Sequence, residues 1–253
     1  MLDIVNEYTS EVVALLKKIA ETEKEKIEKA AEIFAETMAN DKLVHVIGTG
    51  GHSMMPVEEV LCRHEGLVTF NGIYDPGISL SHGAVKAIFG LEGVPGYGKA
   101  ILEYNRIKPG DVMLITSAYG ANLVTIEIAM EAKKMGAYTI AITSPRFSRS
   151  VPKDQHYRHP SNKNLYEVVD LYIDSHVPPE HVVKIEGLKG ENNNMVVGTI
   201  CQVFVINLLV GCTIKKLLEM GVKPKRWVNM LEEGGIDPNI QNIRDYVYKV
   251  KCL

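Results

Sequence analysis

Leu43 to Arg63 reads LVHVIGTGGHSMMPVEEVLCR, and the reading of this stretch decides the fold. Leu43-Val44-His45-Val46-Ile47 is a short apolar run rich in β-branched residues, the pattern of a buried strand. Gly48-Thr49-Gly50-Gly51-His52-Ser53 follows without a break. Pro56 then suits the first turn of a helix, and Glu58 and Glu59 suit its positive end. The order is strand, glycine-rich turn, helix. Such a turn presents backbone N–H groups that can cradle a phosphate, with Thr49, Gly50, Gly51 and Ser53 as its contacts. A tight connection with no ligand is the competing reading. The glycines do not fit G-x-G-x-x-G and no GK[ST] follows, so neither a dinucleotide nor a P-loop nucleotide is expected, and no cofactor is implied.

Working outward, the same unit recurs. Lys108-Pro109-Gly110-Asp111 is a turn and Val112 to Thr116 a strand; Ser117-Ala118-Tyr119-Gly120-Ala121-Asn122 is a second small polar turn. Leu123 to Met135 reads as a helix closed by Gly136, and Tyr138 to Thr143 as the next strand. Leu67 to Phe70, Val168 to Ile173 and Val182 to Ile185 are further strand candidates. Strand, helix and strand at this spacing imply right-handed crossovers and a parallel α/β sheet. Both polar turns then lie at carboxyl ends of strands, where open sheets bind ligands.

The flanks are helical. Residues 3 to 39 carry apolar positions at helical spacing, with a mixed-charge stretch from Glu21 to Lys29 that is either a solvated face or a helix junction. Met195 to Ile214 is apolar enough in about twenty residues to cross a bilayer, yet Gln202 and Asn207 interrupt it. A helix buried on most sides, capped by Asn194 and shared with a second subunit, is expected instead of a membrane span. The chain divides into an N-terminal arm (1–40), an α/β core (41–220) and a tail (221–253) of one domain.

A net charge of −3 gives no reason to expect a nucleic-acid surface. Cys62, Cys201, Cys212 and Cys252 are scattered, as in a cytoplasmic protein with reduced thiols, and no signal peptide is visible. Cys62 and His64 are too few for a metal site, and none is expected. The segment Asn71 to Gly98 is glycine-rich and long for a connector. Ser144 to Asn164 holds Arg146, Arg149, Lys153, Arg158 and Lys163, either a lid over a phosphate or a solvated loop.

The two turns, VIGTGGHS and ITSAYGAN, resemble the paired phosphate loops of the sugar isomerase (SIS) domain. The wider chain resembles the UPF0309, or putative phosphosugar-binding, family. The resemblance is carried by HVIGTG (45–50), EEV (58–60), DPG (75–77), KPGDV (108–112), AITS (141–144), LYEV (165–168), IEGL (185–188) and VG (197–198). It implies a flavodoxin-like α/β/α sandwich with a five-stranded parallel sheet, a sugar phosphate bound near a subunit interface, and a homodimer or homotetramer. Proteins of this kind include aldose–ketose isomerases, a sugar-lactate etherase and the sensing domains of regulators. Three departures stand out: Tyr119 replaces the second serine of the second loop, the first loop is one residue longer than the usual GTGHS, and Ser81-His82-Gly83 stands where His-Glu-Gly is common.

Two functions lead: a phosphosugar isomerase, or a sensor or regulator that binds a phosphosugar without converting it; a related phosphosugar lyase or etherase and a scaffold with no ligand are the further alternatives. An isomerase needs a carboxylate or imidazole to move a proton between adjacent carbons. Glu58, Glu59, His52 and His82 are the candidates, against ordinary roles at a helix end or in a loop. The second turn would add Ser117, Tyr119, Gly120, Ala121 and Asn122 to the binding contacts, with the Tyr119 ring walling the pocket.

Overall fold

A computed structural model describes residues 3–188 and 193–253, so the first two residues of the N-terminal arm lie outside it. In chain order the elements are α1 (Ile4–Thr22), α2 (Lys24–Ala39), β1 (Val44–Gly48), α3 (Met55–Val60), β2 (Phe70–Ile73), α4 (Ala84–Phe89), α5 (Tyr97–Tyr104), β3 (Val112–Thr116), α6 (Leu123–Lys134), β4 (Tyr138–Thr143), α7 (Pro145–Ser150), α8 (Leu165–Val168), β5 (Leu171–Asp174), β6 (Val182–Lys184), β7 (Asn194–Val196), α9 (Gly198–Glu219) and α10 (Ile236–Tyr246). Strands one to five form a parallel sheet in the order β2-β1-β3-β4-β5. This is the flavodoxin-like order, with its switch point between β1 and β3.

Alternation along the strands builds the three layers. Val44, Val46, Leu114, Ile140, Ile142 and Ile173 face a core closed by α2, α3 and α9. Ile47, Met113, Ile115 and Ala141 face the opposite core under α5, α6 and α8. Both faces of the central strands are buried, which is why they read as unbroken apolar runs.

Several boundaries differ from the sequence reading. Leu67 and Val68 are not the strand: Val68 packs with Trp227, Tyr246 and Val250 of the tail, and Phe70–Ile73 pairs with β1. Val168 closes α8, and the fifth strand begins at Leu171. Val182–Lys184 leaves the main sheet and pairs antiparallel with β7. Asn194 therefore sits in a strand and caps nothing, and α9 starts at Gly198 behind Val197. The N-terminal helical run breaks at Glu23, a buried carboxylate that accepts from Lys26 Nζ at 2.8 Å and from Asp174 N at 3.0 Å. The mixed-charge stretch is thus a helix junction pinned to the end of β5. Helix α9 is long and apolar enough to cross a bilayer, but it lies in the core of the fold. It is buried on one side, through Cys201, Gln202, Val205, Ile206 and Leu209, whereas Asn207, Gly211 and Leu218 on other sides are exposed. The expectation of burial on most sides is therefore met on one. All four cysteines are unpaired.

Candidate functional site

The turn after β1 runs through two left-handed residues, Gly50 at φ 88° and Gly51 at φ 61°, into a 3-10 turn over Gly51–Met54. A side chain at Gly50 is excluded twice, by that φ and because a Cβ would lie 2.6 Å from the Tyr119 hydroxyl. The first turn is therefore shaped against the second. Thr49 points inward, sharing a hydrogen bond with the Thr125 hydroxyl, and its N–H donates to Thr116 O at 3.0 Å. Ser53 is 1% exposed, lines the cavity described below, and its Oγ has no hydrogen-bond partner. A buried hydroxyl left without a partner is uncommon and marks a place for a ligand or water.

The turn after β3 behaves differently. Ser117 Oγ accepts from Gly120 N at 3.2 Å and Ser117 N donates to Ile142 O at 3.0 Å. Gly120 O accepts from Leu165 N at 2.8 Å. Asn122 caps α6, its Oδ1 accepting from Thr125 N at 3.1 Å. Ser117, Gly120, Ala121 and Asn122 are buried and none lines the cavity; Tyr119 alone of this turn does.

The cavity has a volume of about 660 Å³ and lies over the ends of β1 and β3. Gly50, Gly51, His52 and Ser53 form one end. Its aromatic wall is Tyr119, Phe147, Tyr157 and His181, with Phe147 and His181 edge-to-face at 4.6 Å between centroids. Val196 of β7, Val197, and Ile200 and Gln202 of α9 line the cavity next to His181. Gln202 is 1% exposed and its Oε1 also lacks a partner. Tyr8 of α1 reaches over this end, its hydroxyl donating to Val196 O at 2.5 Å.

Glu92 is the buried carboxylate of the site, Glu180 lining the cavity as well. It sits in a 3-10 turn inside the long glycine-rich segment and is 3% exposed. Its Oε2 accepts from Asn122 Nδ2 at 2.7 Å and from the Tyr119 hydroxyl at 3.3 Å, and its Oε1 from Gly51 N at 3.4 Å. Burial pushes its carboxyl above the usual range, while these donors pull the other way. The Tyr119 phenol is held well above its ordinary value by burial and by Glu92 beside it. His181 is shifted down, by burial first and by His52 second, so the neutral imidazole is favoured. Glu180 and His181 both have φ 64°, a conformation rare for non-glycine residues. It is fixed from both sides: His181 N donates to Pro178 O at 3.1 Å, and Val197 N donates to His181 O at 2.8 Å. Gly198 lets α9 come close, since a Cβ there would stand 2.6 Å from His181 Nδ1.

Of the residues singled out from sequence, the structure gathers Gly50, Gly51, His52, Ser53 and Tyr119 around the cavity. Glu58 is exposed and Glu59 is engaged by Asn207 Nδ2 at 3.2 Å and Arg63 Nε at 3.4 Å; neither lines the cavity. His82 is exposed beside Ser81 and stands outside it too. The basic segment 144–164 contributes Phe147, Val151 and Tyr157 to the wall and none of its cations. Arg158 is buried and spent on Val151 O, Asn162 and Asn164. Glu92, Gln202 and His181 were missed. Glu92 had a signal in the unusual length of its segment; His181, in a short turn after two prolines, had none. Among the described residues no group of His, Cys, Asp and Glu has the arrangement of a metal centre.

A parallel sheet of this order, with a cavity over its switch point beside the two strand-end turns, defines a flavodoxin-like α/β protein. The SIS domain pattern matches residues 7–144. The chain is 32% identical over 254 residues to a UPF0309 protein of Geobacillus kaustophilus, covering 99% of this chain and 97% of that one. It is 29% identical over 255 residues to a UPF0309 protein of Caldanaerobacter subterraneus, covering all of both. The chain belongs to the SIS domain family and, within it, to the UPF0309 proteins. A phosphoheptose isomerase of Francisella tularensis superposes with a TM-score of 0.55 at 16% identity, over 85% of this chain and 98% of that one. One from Neisseria gonorrhoeae gives 0.53 at 13%, over 83% and 97%. At such identities these two likenesses speak for the fold.

Proposed function

We propose that the protein binds a sugar phosphate in this cavity and interconverts its aldose and ketose forms. The observation that carries the reading is a buried carboxylate, Glu92, beside the glycine turn in a cavity where Ser53 Oγ and Gln202 Oε1 still lack partners. The phosphate is seated by the N–H groups of Gly50, Gly51 and His52 and the Ser53 hydroxyl, as its fold relatives named phosphoheptose isomerases suggest. The sugar then runs along Tyr119 toward Gln202.

The chemistry is internal and redox-neutral. Glu92 takes the proton from the carbon next to the carbonyl, giving an enediol, and returns it to the former carbonyl carbon. The matching hydroxyl proton moves from one oxygen to the other by way of an imidazole, the neutral ring of His181 or that of His52 beside it. A carboxyl pushed upward by burial suits the base role, because its proton affinity approaches the working pH. Glu92 takes this role in preference to Glu58 and Glu59 because it alone of the three lines the cavity. The exposed apolar residues Val85, Ile88 and Phe89 of α4, with Met230, Leu231 and Ile236 of the tail, support assembly into a homo-oligomer.

The test is a panel of aldose and ketose phosphates assayed for binding and for conversion. Conversion of at least one, lost in Glu92→Gln with binding retained, is the expected result. Binding without conversion across the panel would leave a phosphosugar sensor, and no binding at all would end both readings.

A further inference from the structure

The first turn already holds an anion. The Glu92 carboxylate accepts from Gly51 N, one of the donors assigned above to the ligand's phosphate. At 3.4 Å this is the longest of its three contacts, so it is the first to yield; Asn122 Nδ2 and the Tyr119 hydroxyl hold the other oxygen. The charge is not offset. Among the described residues no lysine or arginine lines the cavity, whose titratable groups are Tyr8, His52, Glu92, Tyr119, Tyr157, Glu180 and His181. The helices packed against the Glu92 turn add Lys86 from α4 and Glu127 from α6, and Glu127 is committed to Gly96 N and Gly98 N, each at 2.7 Å. The seat itself rests on more than the turn, since Ser53 and Gln202 line the cavity and their Oγ and Oε1 are buried without a hydrogen-bond partner.

The geometry points to Glu92 as an internal competitor for the phosphate seat, which the substrate's phosphate displaces from Gly51 and thereby frees to act as the base. The inference rests on the phosphosugar reading and adds to it how the base is held until substrate arrives. Two negative groups sharing one set of donors, with no cation between them, repel. The bound phosphate therefore raises the proton affinity of Glu92 further, so that anion binding is coupled to protonation of this carboxyl. Two opposite pH trends result. Anion affinity falls as pH rises and Glu92 ionises in the complex. Turnover rises over the same interval, because the base works only when ionised.

Inorganic sulfate is the probe, since its charge does not change between about pH 5.5 and 8.5, and titration calorimetry is the readout. The wild-type chain is expected to lose about tenfold in sulfate affinity across that range. Glu92→Gln is expected to bind sulfate about tenfold tighter than wild type at the upper end (1.4 kcal/mol) with a flatter profile. Titration elsewhere in the site is common to both proteins, so the difference between the two profiles is the quantity read. Glu92→Asp keeps the charge but withdraws it from Gly51, and it should tighten binding by a smaller factor; it serves also where glutamine disturbs folding. Identical affinity and identical pH profile in wild type and both variants would overturn the competition while leaving the phosphosugar reading intact. Absence of sulfate and sugar-phosphate binding in every protein at every pH would overturn both.

Discussion

The two polar turns at the carboxyl ends of β1 and β3 read alike in the sequence and do different work in the fold. The first leaves Ser53 Oγ without a partner on a residue that lines the cavity, and its Gly51 N is held only by Glu92, at 3.4 Å. The second is closed on itself, with Ser117 satisfied by Gly120 N and Asn122 spent as a helix cap. Its contribution to the cavity is one phenol ring. A serine in such a turn is thus no guarantee of a ligand contact; what matters is whether the turn's own backbone has already claimed it. Glu92 joins the halves, touching Gly51 of one and Asn122 and Tyr119 of the other.

The largest effect is expected at that junction. Glu92→Gln should lower turnover of the sugar phosphate identified by the panel by about 10²- to 10⁴-fold, the span typical of a lost general base. The glutamine keeps one oxygen for Asn122 Nδ2 and the Tyr119 hydroxyl and gives up only the 3.4 Å contact with Gly51 N, so melting should change little. Steady-state kinetics beside a thermal melt checks this; retained turnover would remove Glu92 from the chemistry.

The two serines break the comparison open directly. Ser117→Ala strips Gly120 N of its acceptor in a buried turn, which should cost about 1–3 kcal/mol of stability, with ligand affinity little changed. Ser53→Ala removes a hydroxyl that makes no bond in the free protein, so stability should hold while sugar-phosphate affinity falls about tenfold, or 1.4 kcal/mol. Denaturant unfolding and calorimetry on both variants separate the effects. The reverse pattern would make the second turn the phosphate seat.

Tyr119→Ser comes next. The ring packs against Gly50 and its hydroxyl links Asn122 to Glu92. Serine there opens the aromatic wall without touching the donors of the first turn. Affinity should stay within about tenfold of wild type while the range of accepted sugars broadens. Unchanged affinity and unchanged preference would mean that the ring does not face the bound sugar.

The sequence carried the sheet well because β1, β3 and β4 are buried on both faces and so read as continuous apolar runs. It failed at the sheet's edges, where Leu67 and Val68 look like a strand, but Leu67 packs into the main core and Val68 into the tail's cluster around Trp227. The first turn was legible because left-handed glycines mark it locally. Glu92 and His181 were not, since their value comes from neighbours distant in sequence. Glu92 meets Gly51 and Asn122 only after the long segment folds back over β1, and His181 gains its place from Gly198. No local pattern of charge or periodicity encodes such meetings.

Glu58 and Glu59 give the smallest expected effect and the finest test of where the site ends. They follow the first turn in sequence, yet Glu58 is exposed and Glu59 is bound by Asn207 and Arg63 outside the cavity. If the cavity of one chain is complete, Glu58→Gln and Glu59→Gln should each change turnover by less than about threefold, a difference below 1 kcal/mol. The Glu59–Asn207 pair lies between α3 and α9, and Asn207 is on an exposed face of α9. A second subunit packed on that face would bring Glu59 toward its own cavity. Loss of turnover in Glu59→Gln with Glu58→Gln unaffected would therefore say that the site is shared between subunits. A sedimentation measurement on the same samples then decides: the loss must come with an oligomer at assay concentration, because a monomer has no second cavity for Glu59 to reach.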